Sequence, residues 1–167
     1  TQGYSSAASD VYKRQEEEPD NVAVMLLRAN LNYMIERYAD VIADCERAAE
    51  LDNTEVRAYY LAGRAKKMAG DNIGAIVSLS QAIAGKEDYA AAWLLRAEVM
   101  LATGGYTDGL QDAEKAVELV PEEEQAYLVR GQLREALKQC EEAEQDYRYV
   151  IELNPFNEQA YLSLIHI

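Results

Sequence analysis

A period of thirty-four residues runs through this chain and limits what it can fold into. All three prolines keep the phase: Pro121 lies 102 residues after Pro19, and Pro155 lies 34 after Pro121. A large position recurs at Met25, Tyr59, Trp93, Tyr127 and Tyr161. A small one recurs at Ala29, Gly63, Ala97 and Gly131, and others at Val41, Ala75, Gly109, Ala143 and at Ala48, Ala82, Ala116, Val150. Unrelated helices would not hold one phase over four turns of the pattern. Such a chain repeats one supersecondary unit, each copy burying against its neighbours a face it cannot bury alone.

Each unit reads as two helices. Tyr59, Ala62 and Gly63 fall at i, i+3 and i+4, one face of a helix. Ala69-Gly70-Asp71-Asn72 breaks it, and a second amphipathic stretch runs from Ile73 to Ile83. Small residues at facing positions let the two helices approach closely, and the large residue fills the space beside them. A proline at the end of a unit stops the second helix, because it lacks an N–H and blocks continuation. Glu122-Glu123-Glu124 favours the start of the next helix.

This pattern resembles the tetratricopeptide repeat family. The resemblance covers Pro19 to Tyr161, and the stretch Ala91–Pro121 carries most family positions: Trp93, Ala97, Tyr106, Ala116 and Pro121. It implies an all-α fold, an α-solenoid in which antiparallel helix–turn–helix repeats form a right-handed superhelix. The repeats fall at 22–55, 56–89, 90–123 and 124–157, with partial repeats at both ends of 16–161. Asn53 and Glu87 replace the end-of-repeat proline, and Val41 and Gly109 stand where alanine is usual. Asn32, Lys66 and Arg134 occupy a position that is usually apolar. The stems of Lys and Arg are expected to cover apolar surface with the charge outside. Asn32 has no such escape.

The two ends read differently. Ser5–Gln15, translated back into codons, resembles the adapter and transposon end used in DNA sequencing libraries. The reverse complement of its last six codons translates as Leu-Ser-Leu-Ile-His-Ile, which is Leu162–Ile167. One DNA element read in opposite orientations would encode both. Residues 1–15 and 162–167 are therefore expected to be foreign, and the first of them unstructured; residues 16–161 would be internal to a longer protein.

Composition removes most other functions. The net charge is −14, from 16 basic and 30 acidic residues, which disfavours nucleic-acid phosphates and anionic lipid. No apolar run approaches the ~20 residues of a membrane span. The single histidine, His166, lies in the foreign end, so no Ser–His, Cys–His or His–metal arrangement is expected. Ser78 and Ser80 sit in a second helix, outside any nucleophile motif, and Ala84-Gly85-Lys86-Glu87 lacks the spacing of a phosphate loop. Cys45 and Cys140 read as packing residues, and the cysteine usage leans to a cytoplasmic setting without fixing the compartment. No catalysis, cofactor or metal is expected of this segment.

In the family, the first helix of each repeat lines a concave groove that takes partner peptides or helices. The resemblance places there Leu26, Asn30 and Tyr33, then Arg57, Tyr60, Arg64 and Lys67, then Leu94, Glu98 and Leu101, then Leu128 and Gln132. Helical geometry agrees within the second repeat: Arg57, Tyr60, Arg64, Lys67 and Met68 share about a 100° arc, with Tyr59 and Ala62 on the other side. Leu26, Tyr60, Leu94 and Leu128 would form an apolar strip, or the leucines would pack between helices. Members that grip chaperone C-terminal tails use a set of Lys, Asn and Arg of which only Asn30 is present, so that partner is not expected. The expectation is a protein-interaction scaffold or adaptor segment that binds a partner protein or peptide. The alternative is a regulatory or substrate-docking segment of a larger enzyme. Arg57, Arg64 and Lys67 suit an acidic partner.

Overall fold

The computed structural model describes residues 9–13 and 20–167. Among these residues the fold is all-α, and no helix is long and apolar enough to cross a membrane. The chain divides into two compact units, meeting in sequence at Glu87 and Asp88. The first contains α1 (Val22–Met34), α2 (Tyr38–Leu51), α3 (Val56–Met68) and α4 (Asn72–Gly85). The second contains α5 (Ala90–Thr103), α6 (Tyr106–Leu119), α7 (Glu124–Ala136), α8 (Cys140–Leu153) and α9 (Glu158–His166).

The breaks between helices recur with the period of the sequence. Within each repeat the first helix ends at a residue with positive φ: Glu36, Gly70, Gly104 and Lys138, at +62° to +85°. Glycine takes this conformation freely, whereas Glu36 and Lys138 pay the steric cost of a Cβ there. Each second helix ends at an extended residue: Asp52, Lys86, Val120 and Asn154, with φ between −136° and −152°. Proline follows the last two and forces that geometry on the residue before it. Asn53 and Glu87 follow the first two, and the break forms without proline. Side chains cap several starts: Asn21 accepts from the Val24 amide at 3.1 Å, Asp71 from Gly74 at 2.8 Å, and Asn157 from Ala160 at 2.9 Å.

Small residues make the close contacts. A Cβ on Gly63 would lie 2.7 Å from Leu79, and one on Gly131 would lie 2.7 Å from the Tyr147 ring. Tyr147 is fully buried, and its hydroxyl donates to Glu135 at 2.9 Å. The core of the first unit gathers Met25, Leu26, Ala29, Val41, Cys45, Ala48, Ala58, Leu61, Ala62 and Ala65. Burial pushes the Cys45 thiol up to about 12, whereas Cys140 is exposed. A disulfide reagent at neutral pH should therefore modify one thiol quickly in the folded protein and the second only after denaturation. Two fast thiols in the folded protein would contradict this packing.

One expectation about the ends needs correction. Residues 9–13 are helical rather than unstructured. Val11 is buried, and the Tyr12 hydroxyl donates to the Asn32 side chain at 2.8 Å. Val11 and Tyr12 stand 34 residues before Cys45 and Glu46, in phase with a second helix, so an apolar residue in that register finds a core to fill. The rest of 1–15 lies outside the described residues.

Candidate functional site

Helix α1 presents Asn30, Tyr33 and Met34, and α3 presents Arg57, Tyr60, Arg64, Lys67 and Met68. Met34 and Met68 are exposed, and Tyr33, Tyr60, Arg64 and Lys67 are half-buried. The Arg64 guanidinium lies 4.4 Å from the centre of the Tyr33 ring and 5.8 Å from that of Tyr60. Tyr33 in turn meets Tyr38 edge-on at 5.6 Å. Among the described residues Arg64 has these rings and no carboxylate partner. Arg28, Arg47, Arg57, Arg96, Arg130, Arg134 and Arg148 are each paired with an acid. Arg57 is held at its own helix start, its Nε 2.7 Å from Glu55, and so is not a free cation beside Arg64. Asn30 donates to the Leu26 carbonyl at 2.8 Å, one turn back in α1.

In the second unit, Ala91 and Gln125 are exposed, and Leu94, Glu98, Leu101 and Gln132 are half-buried. Gln125 donates to Glu98 at 3.1 Å. Two members of the expected apolar strip are core residues instead: Leu26 is 6% exposed and Leu128 3%. Each lies where its first helix meets neighbouring helices, so side-by-side packing removes it from solvent. Leu94 is divided, lining a cavity of about 270 Å³ with Ala91 and Gln125 while packing on the core.

The expectation for Lys66 and Arg134 is also corrected. Their charges are largely covered and paired rather than left in water, Lys66 with exposed Glu46 and Arg134 with half-exposed Glu114 as well as buried Asp146. The Lys66 ammonium sits 2.9 Å from Glu46 and 3.2 Å from the Ser78 hydroxyl, and Arg134 reaches the buried Asp146 at 2.8 Å. Sequence reading missed a whole set of ion pairs. Arg28–Asp44, Arg96–Asp112 and Arg130–Asp146 join first helix to second within the first, third and fourth repeats. The acids are 2–7% exposed. Each pair is a two-nitrogen fork, at 2.7 and 2.8 Å for Arg96. The signal was available, since Arg28, Arg96 and Arg130 share one phase and each acid follows sixteen residues later.

No family model matches the chain, and no curated protein matches it. Solved structures do. A crystal structure of MamA superposes with a TM-score of 0.85 at 26% identity, covering 91% of this chain and 89% of that one. The first tetratricopeptide domain of Spaghetti (RPAP3), bound to the HSP90 peptide SRMEEVD, gives 0.66 at 26% identity over 69% of this chain and 91% of that one. The second such domain of human RPAP3, in complex with the HSP70 peptide SGPTIEEVD, gives 0.63 at 26% over 66% and 96%. The expectation that chaperone tails are not partners finds no support among these neighbours, two of which hold such tails. The period, the helix pairs and these superpositions agree: the chain has the tetratricopeptide-repeat fold.

Proposed function

We infer that the chain is a protein-interaction module without catalysis of its own, and that the first unit binds an acidic peptide segment across α1 and α3. The observation that carries this reading is Arg64. Its guanidinium is fixed against Tyr33 and Tyr60 and lacks an acid among the described residues, in a chain of net charge −14. An arginine stacked on two rings keeps its outward N–H groups for a carboxylate and has already lost much of its rotamer freedom. Exposed Met68, one turn further along α3, and exposed Met34 at the end of α1 offer adaptable apolar contact. The peptides held by the two RPAP3 domains both end in Glu-Glu-Val-Asp, which is the same chemistry.

The test is fluorescence anisotropy of a labelled, Glu-rich peptide with a free C-terminus, titrated with the protein at rising salt. Affinity should fall as salt rises, because the contact is partly solvent-exposed. A peptide of the same length with lysine in place of glutamate should bind more weakly. Salt-independent binding, or equal binding of the lysine peptide, would overturn the reading.

A further inference from the structure

The second repeat lacks the ion pair of the other three. Where they carry Arg28, Arg96 and Arg130, it has Ala62; where they carry Asp44, Asp112 and Asp146, it has Ser78. In the third and fourth repeats the same arginine also lies over the large aromatic residue three positions before it. Arg96 is 5.0 Å from the Trp93 ring centre, and Arg130 is 4.9 Å from that of Tyr127. The second repeat keeps the aromatic, Tyr59, and among the described residues no cation lies over it.

The missing side chain leaves space. A cavity of about 360 Å³ opens there, bounded by α2, α3 and α4 of the first unit. Its floor is Ala49, Ala58, Ala62 and the Tyr59 ring; its polar wall is Glu46, Glu50, Lys66 and Ser78. The wall carries two carboxylates to one ammonium. Lys66 holds both Glu46 and the Ser78 hydroxyl, at 2.9 and 3.2 Å, but among the described residues Glu50 is held by Arg47 alone, in a pair exposed on both sides, which competes weakly in water. Tyr59, Ala62 and Lys66 lie on the side of α3 opposite Tyr60, Arg64 and Lys67, so this cavity is separate from the surface assigned above.

We propose that this cavity receives a guanidinium side chain from a partner protein, stacked on Tyr59 and hydrogen-bonded to Glu50, where the other repeats use their own arginine. The aliphatic stem of the incoming arginine covers the alanine floor. The guanidinium takes the ring face and the acceptors together, a combination that a lysine ammonium meets less well. The acidity of the whole chain favours a basic partner here.

The experiment titrates the full chain with N-acetyl-arginine methylamide and follows backbone amide shifts by NMR. The uncharged N-acetyl-norleucine methylamide is the control. Saturable shifts centred on Ala49, Ala62 and Ser78 are expected with the arginine probe only. The double variant Ala62→Arg, Ser78→Asp rebuilds the internal pair and should weaken probe binding at least about tenfold. Tyr59→Leu keeps the floor apolar, removes the ring face and should weaken binding several-fold. If the double variant does not fold, Ala62→Leu fills the same space and should give the same loss. Equal binding of the norleucine probe, unchanged binding by the filled variants, or no saturable shift up to the solubility of the probe would each overturn the proposal.

Discussion

Replacing Asp146 by alanine is expected to destabilise the protein by about 3 kcal/mol. Asp146 is 2% exposed and receives two arginines: Arg130 at 2.6 Å and Arg134 at 2.8 Å. Removing one partner of a buried pair leaves the other charge without its compensation, which costs roughly 3–5 kcal/mol. Here two cations lose this acceptor together, although Arg134 keeps Glu114 at 3.6 Å. Their side chains keep 17% and 18% of their exposure, so water recovers part of the loss and the value falls at the low end of that range. Glu144→Ala is the control, because Glu144 and Arg148 form an exposed pair one turn apart in the same helix. It should change stability by no more than about 0.5 kcal/mol. Urea denaturation of the two variants beside the parent measures both. A loss for Asp146→Ala as small as that for Glu144→Ala would mean that the repeated arginine–aspartate pair does not hold first helix to second.

The second large effect falls on binding. Arg64→Glu should cost roughly 1–3 kcal/mol of affinity for an acidic peptide, the scale of a charge-assisted hydrogen bond, and leave helicity unchanged. The residue is half-buried and belongs to no buried cluster, so reversal acts on the proposed contact without opening the core. Arg64→Lys should fall between the two. It keeps the charge and loses both the planar fork and the stacking on Tyr33 at 4.4 Å. Calorimetric titration of the three proteins with one peptide reads the order. If Arg64→Glu binds as tightly as the parent, the aromatic-stacked arginine is not the anchor.

The fold was legible because a packing constraint recurs at a fixed interval. Ala29, Gly63, Ala97 and Gly131 mark the close approach of each helix pair, and the structure puts all four in contact-tight positions. The break after the first helix was legible at Gly70 and Gly104. At Glu36 and Lys138 it was not, since neither residue advertises a positive φ and only the phase reveals it. The site was partly legible. Helical geometry grouped Tyr60, Arg64 and Lys67 on one arc, but it could not show that Tyr33, from another helix, completes the stack over Arg64. It also could not show that Leu26 and Leu128 face neighbouring helices, because a period of 3.6 residues locates a face and not what covers it. The arginine–aspartate pairs escaped because their members sit sixteen residues apart on different helices. Only their common place in the thirty-four-residue repeat links them.

Docking of an acidic peptide on α1 and α3 around Arg64 is tested most directly by mapping the contact. An unlabelled Glu-rich peptide is titrated into the isotope-labelled full chain, and amide and side-chain shifts are followed to saturation. The largest changes are expected at Tyr33, Tyr60, Arg64 and Lys67, with the Arg64 side-chain N–H resonances moving as the carboxylate engages. Largest changes confined to residues 88–167, or none in the Arg64 side chain at saturation, would contradict it.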